Sequence, residues 1–214
     1  MICEFDHPLE PIMGTRFGEI LTKEHTKAGV KIHAKAKVTE LRTNEAGNVT
    51  QVVLSNGTVV DTDLVILGTG VRPNTQFLKG VVEMNPDGGL VCDPFLETSA
   101  KGVFAAGDIA SYPYWPSGSR IRTEHWNTAL DQGTHAAFNM LNKYVPYGSI
   151  PFFWTRHYNK TCHYVGNGAG SKEVHFVGTD DSFLAYYISD NDKVLAVAGM
   201  GQPKATLTFL EAMQ

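Results

Sequence analysis

Apolar and polar residues recur along the first third of the chain with spacings that predict one helix among several strands. From Gly14 to Gly29 apolar residues follow the three- and four-residue spacing of an amphipathic helix, and Gly29 provides a left-handed stop. The same analysis predicts short strands at residues 2–5, 30–33, 36–41, 49–54 and 59–60. Asn56-Gly57 lies between the last two strands and predicts a tight hairpin, because this pair accepts positive φ at both turn positions.

Two continuous apolar runs follow, and each predicts a buried strand. Residues 63–70, Asp-Leu-Val-Ile-Leu-Gly-Thr-Gly, fit a central strand covered on both faces. Val103–Ala106 fits a second buried strand, which Gly107-Asp108 ends abruptly. Open α/β sheets bind nucleotides where a strand brings a carboxylate to its C-terminal edge, next to a helix N-terminus. Asp108 therefore marks a candidate nucleotide site.

The remaining chain predicts a loop, a long helix and a small domain. Residues 112–120 are rich in Pro and Gly and predict a loop. A helix is expected from Thr123 or Glu124 to about Leu141, with Thr123 as its N-cap. Five strands and a closing helix that begins at Pro203 then indicate an α+β domain, with the strands at residues 152–155, 161–165, 173–177, 183–188 and 193–198.

Composition narrows the classes of function. A chain of 214 residues with 43% hydrophobic and 19% charged residues is typical of a globular protein with one large or two modest domains. Its net charge of −4 argues against nucleic acid or an anionic membrane as a partner, and no apolar run is long enough for a transmembrane segment. Cys3, Cys92 and Cys162 are widely spaced, and the histidines lack metal-ligand spacing, so neither a disulfide nor a metal site is predicted.

The Gly107-Asp108 motif with its preceding alanines, and the later Glu124-His125-Trp126 helix start, resemble the second FAD-binding motif of the pyridine nucleotide-disulfide oxidoreductase superfamily. The Glu-His-Trp start is most similar to the branch of apoptosis-inducing-factor-like proteins and ferredoxin reductases. This resemblance implies FAD and NAD(H) as cofactors. It also implies that a hydride passes from NADH to FAD and that electrons leave singly to a protein acceptor, such as an iron–sulfur protein.

The resemblance also implies an α/β fold with incomplete Rossmann-like NAD and FAD domains and a small C-terminal α+β domain. Residues 1–63 correspond to the second half of the NAD-binding domain, residues 64–147 to the C-terminal part of the FAD-binding domain, and residues 148–214 to the reductase domain. No Gly-x-Gly-x-x-Gly turn occurs in the sequence. We therefore expect the C-terminal portion of such an enzyme, which alone would not bind FAD tightly.

The residues around the second FAD motif have predicted roles. The resemblance implies that Asp108, beside Gly107, accepts a hydrogen bond from a ribityl hydroxyl of FAD; the alternative is an aspartate that caps a backbone amide. The helix start at Glu124 would direct its positive end at the flavin and stabilise negative charge near N1. His125 and Trp126 would lie against the flavin or nicotinamide as the catalytic pair, or else be a surface histidine and a core tryptophan.

Residues elsewhere in the chain are predicted to contact the same cofactors. Glu4 ends a strand where a carboxylate would bind an adenosine ribose and favour NAD over NADP, because a 2′-phosphate would meet like charge; the alternative is a surface glutamate. Gly68, Thr69 and Gly70 would let the backbone approach a pyridine nucleotide or the FAD pyrophosphate, or simply form a tight turn. Trp154 would cover the flavin's far side, or be a domain-interface aromatic.

Two classes of function remain open at this point. The predicted reductase would donate electrons to an iron–sulfur protein, and the lack of a C-terminal His-Glu pair argues against thiol chemistry. The alternative is a catalytically incomplete, truncated form that acts as an interaction or apoptosis-signalling module. A homodimer and either a cytoplasmic or a mitochondrial location are compatible with the sequence.

Overall fold

The computed structural model describes residues 1–213, which form two compact units that meet in sequence between Gly70 and Val71. The first unit has a helical part followed by a three-stranded antiparallel sheet of order β1-β2-β3. Its elements are α1 (Glu10–Met13), α2 (Thr15–Lys27), β1 (Val38–Thr43), β2 (Val49–Leu54) and β3 (Val59–Asp61). The predicted helix and Asn-Gly hairpin are confirmed, whereas the short helix α1 was not predicted.

The predicted N-terminal strands are confirmed only in part. Residues 2–5 and 30–33 lie side by side and share a parallel bridge between Ile2 and His33, without a longer ladder. Ile2 also packs against a small cluster formed by the buried side chains of Ala36, Val52 and Leu54. This cluster explains why the apolar side chains of β2 alternate with more exposed ones.

The prediction of a buried strand at residues 63–70 is wrong. This segment has no regular structure, and Ile66 is 86% exposed, with Leu64 and Leu67 also mostly in solvent. A strand needs neighbours that bond its backbone groups, and no strand of residues 1–213 pairs with this segment. Only Val65 packs against the cluster of the first unit.

The second unit contains two sheets. The smaller has the order β4-β5-β6, with β4 parallel and β6 antiparallel to β5. The larger is antiparallel with the order β7-β8-β11-β10-β9. The elements of the second unit are β4 (Leu90–Val91), β5 (Ala110–Tyr114), β6 (Ser119–Arg122), α3 (Trp126–Met140), β7 (Phe152–His157), β8 (Lys160–Gly166), β9 (Glu173–Thr179), β10 (Ser182–Ile188), β11 (Val194–Met200) and α4 (Pro203–Met213). It also contains 3₁₀ turns at Gln76–Leu78 and Gly107–Ile109.

The region before α3 differs from the sequence prediction. Val103–Ala106 forms only a single bridge, between Phe104 and Glu97, and residues 112–120 form most of the β5–β6 hairpin rather than a loop. Burial of Tyr112 and Tyr114 overrides the Pro- and Gly-rich composition. Pro113 is tolerated because β4 pairs only with the first two residues of β5, so the strand has one neighbour at the proline.

The start of α3 also differs from the prediction. The helix begins at Trp126 with His125 as its N-cap, and no side chain caps it. The hydroxyl of Thr123, the predicted cap, instead lies 3.0 Å from the hydroxyl of Tyr112. The five C-terminal strands and the closing helix are confirmed.

One hydrophobic cluster connects the parts of the second unit. It includes buried residues before and after the predicted boundary at residues 147–148: Leu96, Tyr112, Tyr114, Ala136, Tyr147, Ile150 and Val165. The helix α4 lies on one face of the larger sheet, where the Phe209 ring is 5.6 Å from that of Tyr186. Within residues 1–213, no helix combines the length and hydrophobicity needed to cross a bilayer.

The C-terminal end of α3 depends on one buried amide and gives a first prediction. Asn139 donates to the carbonyls of Phe95 and Val145, at 2.8 and 2.9 Å, and accepts from the Val145 amide at 2.7 Å. We expect Asn139→Ala to lower the free energy of unfolding of the second unit by about 2–4 kcal/mol, because three hydrogen bonds are lost at a buried site. Urea denaturation measures this. Asn127→Ala, an exposed position on the same helix, is the control, and an equal loss in both would contradict the role of Asn139.

Candidate cofactor site

The turn at Gly107 is held directly against α3. Gly107 has a φ of 77°, and a β-carbon there would lie 3.4 Å from the Ala129 side chain. Its amide donates to Oε1 of Gln132 at 2.8 Å, and Gln132 is wholly buried. Because both the conformation and the close approach favour glycine, the sequence fixes this turn beside the helix.

Asp108 follows Gly107 and presents an exposed carboxylate. Its main-chain carbonyl accepts a hydrogen bond from Arg122 Nη1 at 2.9 Å. Its carboxylate forms no hydrogen bond or ion pair within residues 1–213, so the alternative of an aspartate that caps a backbone amide is not what the structure shows. The turn is fixed by its backbone, while the carboxylate stays available to a ligand that carries hydroxyl groups.

Glu124 lies two residues before α3 and pairs with Arg122, whose Nη1 is 2.5 Å from Glu124 Oε1. The same guanidinium contacts Asp87 through Nε at 2.9 Å. The Gly89 amide, and then Arg122, lower the pKa of the Asp87 carboxyl.

His125 is half-buried between charged and aromatic neighbours. Its ring centroid lies 5.0 Å from that of Phe153, and its Nδ1 is buried without a hydrogen-bond partner in the described part of the chain. Burial lowers the pKa of His125, although the charges of Asp108 and Glu124 oppose this effect. The lowered pKa favours the neutral form of the ring at pH 7.

Trp126 is the first residue of α3, and 80% of its side chain is exposed. The first amides of a helix have no partner within it and carry a partial positive charge. Since no side chain caps α3, its N-terminal end can receive the electronegative edge of a ligand, with the indole beside it. Trp126 is not the core aromatic of the alternative interpretation.

Trp154 and Phe153 are neighbours on β7 and therefore lie on opposite faces of the sheet. Phe153 contacts His125, and Trp154 is 61% exposed on the other face. The structure thus does not bring Trp154 to His125, and it gives that place to Phe153, which the sequence analysis missed. Gln132 was missed as well, although the helical spacing of Thr128, Gln132, Ala136 and Asn139 indicates a buried polar face.

The predicted nucleotide residues of the first unit are solvent-exposed. Glu4 forms an ion pair with Lys37, at 3.0 Å between Oε2 and Nζ. Gly68 has no atom within 4 Å of the place where a β-carbon would lie, and neither does Gly70, which has a φ of 84°. Thr69 between them is also exposed. The backbone at Gly68 and Gly70 is therefore open to a ligand.

The described residues contain no metal-binding cluster of side chains, and two of the three cysteines are buried. No group of three His, Cys, Asp or Glu side chains there could hold a metal ion. The three cysteines are free thiols, and burial raises the pKa of Cys92 to about 11 and that of Cys162 to about 12. Those two thiols are protonated at neutral pH and are poor nucleophiles.

The groups around the start of α3 fit part of a flavin site. An uncapped helix end, a carboxylate without a partner and an exposed indole suit the negative, hydroxyl-bearing and flat parts of FAD, respectively. The buried, unpartnered Nδ1 of His125 is a further polar atom beside them. The structure brings Gly107, Asp108, Glu124, His125 and Trp126 together around the start of α3.

The chain belongs to the pyridine nucleotide-disulphide oxidoreductase family, which it matches over residues 1–133. It is 34% identical to apoptosis-inducing factor 3 of Mus musculus over 197 residues, covering 90% of this chain and 32% of that protein. It is 26% identical to rhodocoxin reductase of Rhodococcus erythropolis, covering 93% and 46% of the two chains. The prediction of the superfamily and branch is confirmed.

Solved structures agree with this assignment. The putidaredoxin reductase in its covalent complex with putidaredoxin has a TM-score of 0.91 at 25% identity, over 99% of this chain and 51% of that one. The ferredoxin reductase of Rhodopseudomonas palustris has a TM-score of 0.87 at 25% identity, over 96% and 51%. The chain therefore spans between a third and a half of these relatives, and the predicted α/β fold with partial domains is confirmed. Proteins of the family bind FAD and NAD(P)H, which confirms the predicted cofactors for the family.

The burial of His125 predicts a dependence of stability on pH. Because its pKa is lowered in the folded chain, the unfolded chain binds the extra proton first, and stability must fall as the pH drops below about 6.5, until the folded-state pKa is passed. We expect His125→Gln to reduce the fall in Tm between pH 7.5 and pH 5 relative to the wild type. His175→Gln, an exposed control, should leave the fall unchanged. Identical pH profiles for the wild type and His125→Gln would contradict the prediction.

Proposed function

We propose that this chain provides the flavin-facing helix and the C-terminal part of a flavoprotein that passes electrons from NADH through FAD to an iron–sulfur protein. The observation that carries the proposal is the uncapped N-terminal end of α3, flanked by the unpaired carboxylate of Asp108 and the exposed ring of Trp126. The family assignment and the reductases among the relatives support it.

Different residues of the chain would contact different parts of the cofactor. Asp108 would accept a hydrogen bond from a cofactor hydroxyl, and the amides at the start of α3 would face the ring edge where negative charge develops on reduction. Trp126 would stack on a flat ring. When bound, the flavin accepts a hydride from the nicotinamide and releases the electrons singly.

His125 would contribute shape and a neutral polar edge rather than a charge. Phe153 holds its ring on one side, and burial keeps it unprotonated at neutral pH. A neutral ring leaves the positive end of α3 as the local source of stabilisation for developing negative charge. Phe153 would also exclude water from this side of the site.

The acceptor is proposed to be an iron–sulfur protein. Support comes from the relatives: one solved neighbour is a reductase in complex with putidaredoxin, and another is a ferredoxin reductase. The protonated thiols of Cys92 and Cys162 favour electron transfer over thiol chemistry.

Flavin binding tests the proposal directly. Titration of the 214-residue chain with FAD, followed by quenching of flavin fluorescence, should show weak binding, as expected for a chain that lacks the Gly-x-Gly-x-x-Gly turn. Asp108→Ala should weaken this binding further by about 10- to 150-fold, the cost of a lost hydrogen bond to a charged group. Asp190→Ala, an exposed carboxylate in the last hairpin, is the matched control and should bind as the wild type does. Anaerobic addition of NADH and an oxidised [2Fe–2S] ferredoxin should then bleach the ferredoxin's visible absorbance.

Two outcomes would count against the proposal. Equal FAD affinity in Asp108→Ala and the wild type would remove the role of this carboxylate. A chain that is folded by circular dichroism but neither quenches FAD nor reduces the ferredoxin would favour the interaction-module alternative.

The charge at Glu4 gives a separate prediction about the nucleotide. Because its carboxylate would repel a 2′-phosphate, Glu4→Arg should shift the ratio of NADH to NADPH affinity toward NADPH by at least about tenfold, or 1.4 kcal/mol. Isothermal titration with each nucleotide measures the ratio. Glu40→Arg, an exposed glutamate in β1 of the same unit, should not change it, and an unchanged ratio in Glu4→Arg would reject the ribose contact.

A further inference from the structure

We propose that Arg122 is a positioning residue for the cofactor site, because its guanidinium engages Glu124 and the Asp108 main chain and so leaves Asp108 as the one unpaired carboxylate beside His125. The role of Arg122 toward a cofactor rests on the proposed function, whereas its contacts with Glu124 and Asp108 lie within this chain. Arg122 is not among the residues predicted above to contact a cofactor.

The contacts of Arg122 join three separate segments. Its Nη1 donates to the Asp108 carbonyl at 2.9 Å and to Glu124 Oε1 at 2.5 Å, and its Nε donates to Asp87 Oδ2 at 2.9 Å. The side chain is only 18% exposed. A partly buried guanidinium with three acceptors has a fixed geometry, because its planar donors point in set directions.

The turn that carries Asp87 is shaped to admit this side chain. A β-carbon on Gly89 would lie 3.0 Å from Arg122 Cδ and 3.2 Å from Asp87 Oδ1. The Gly89 amide also donates to Asp87 Oδ1 at 3.0 Å, which fixes the carboxylate that faces Arg122. Asp87 therefore fixes the Nε side of the guanidinium, while Nη1 bonds the Asp108 carbonyl and Glu124.

This arrangement controls the charge at the start of α3. Glu124 immediately precedes the N-cap, where an unpaired carboxylate would offset the positive end of the helix. Pairing with Arg122 offsets part of that negative charge, because the guanidinium is shared between Glu124 and Asp87. The charged groups that act on His125 are Asp108 from the 3₁₀ turn and Glu124 from its own segment, while β7 contributes the uncharged ring of Phe153.

The chain contains a matched control two residues earlier on β6. Arg120 also spans neighbouring segments, because its Nη1 donates to the carbonyls of Cys92 and Ser111, each at 2.6 Å. Its hydrogen-bond acceptors are backbone carbonyls rather than carboxylates. A substitution at Arg120 therefore removes an arginine that bridges two segments, but it does not release Glu124.

The test is a double-mutant cycle read by NMR titration of the His125 ring in the 214-residue chain, without flavin. Arg122→Gln should raise the pKa of His125, because Glu124 is released beside it, and Glu124→Gln should lower it. The double variant should return close to the wild type. Arg120→Gln should lower Tm but leave the His125 titration unchanged.

Three results would overturn the inference: no shift in Arg122→Gln, a shift that Glu124→Gln does not reverse, or an equal shift in Arg120→Gln. If Arg122→Gln does not fold, Arg122→Lys replaces it, since a single ammonium cannot reach all three acceptors. That variant should shift His125 upward by less, and a wild-type titration would again overturn the inference. Because no flavin is present, failure here is separate from failure to bind FAD.

Discussion

The contact between Gly107 and α3 is the constraint on which the candidate site depends. A backbone amide on one side and a buried glutamine on the other fix the turn to the helix, and the positive φ of Gly107 would strain any residue with a β-carbon. The candidate flavin site follows from this contact, since it sets Asp108 beside the first turn of α3. Arg122 then fixes the same turn from the opposite side through the Asp108 carbonyl.

Charge in this region is arranged so that two of three carboxylates are engaged and one is not. Asp87 and Glu124 share Arg122, whereas the Asp108 carboxylate faces solvent without a partner in the described residues. A neutral histidine and an uncapped helix end complete the surroundings. Such a surface suits a ligand with hydroxyl groups and a ring that gains negative charge, which is the chemistry of FAD.

Some of the fold and part of the site were predictable from local signals. Helical spacing identified α2 and α3, the Asn56-Gly57 pair identified its hairpin, and alternation identified the five C-terminal strands. Gly107-Asp108 and Glu124-His125-Trp126 are each a short run of consecutive residues, which sequence comparison can recognise. The resemblance to flavoproteins therefore predicted that the two runs lie beside one another. Gln132 and Phe153 lie 25 and 28 residues from the groups they contact, and no local pattern could pair them.

The sequence by itself determined the family, the periodic elements and the residues with chemical potential, because these depend on short-range spacing and on residue type. Tertiary structure decided which of these expectations held. Burial of two tyrosines made a hairpin of the loop predicted at residues 112–120, and the lack of a pairing strand within residues 1–213 left the apolar run at 63–70 exposed. The tertiary structure also places Phe153, and not Trp154, next to His125. Adjacent residues of a strand point to opposite faces, so only one of the two aromatic rings can lie on the side of His125.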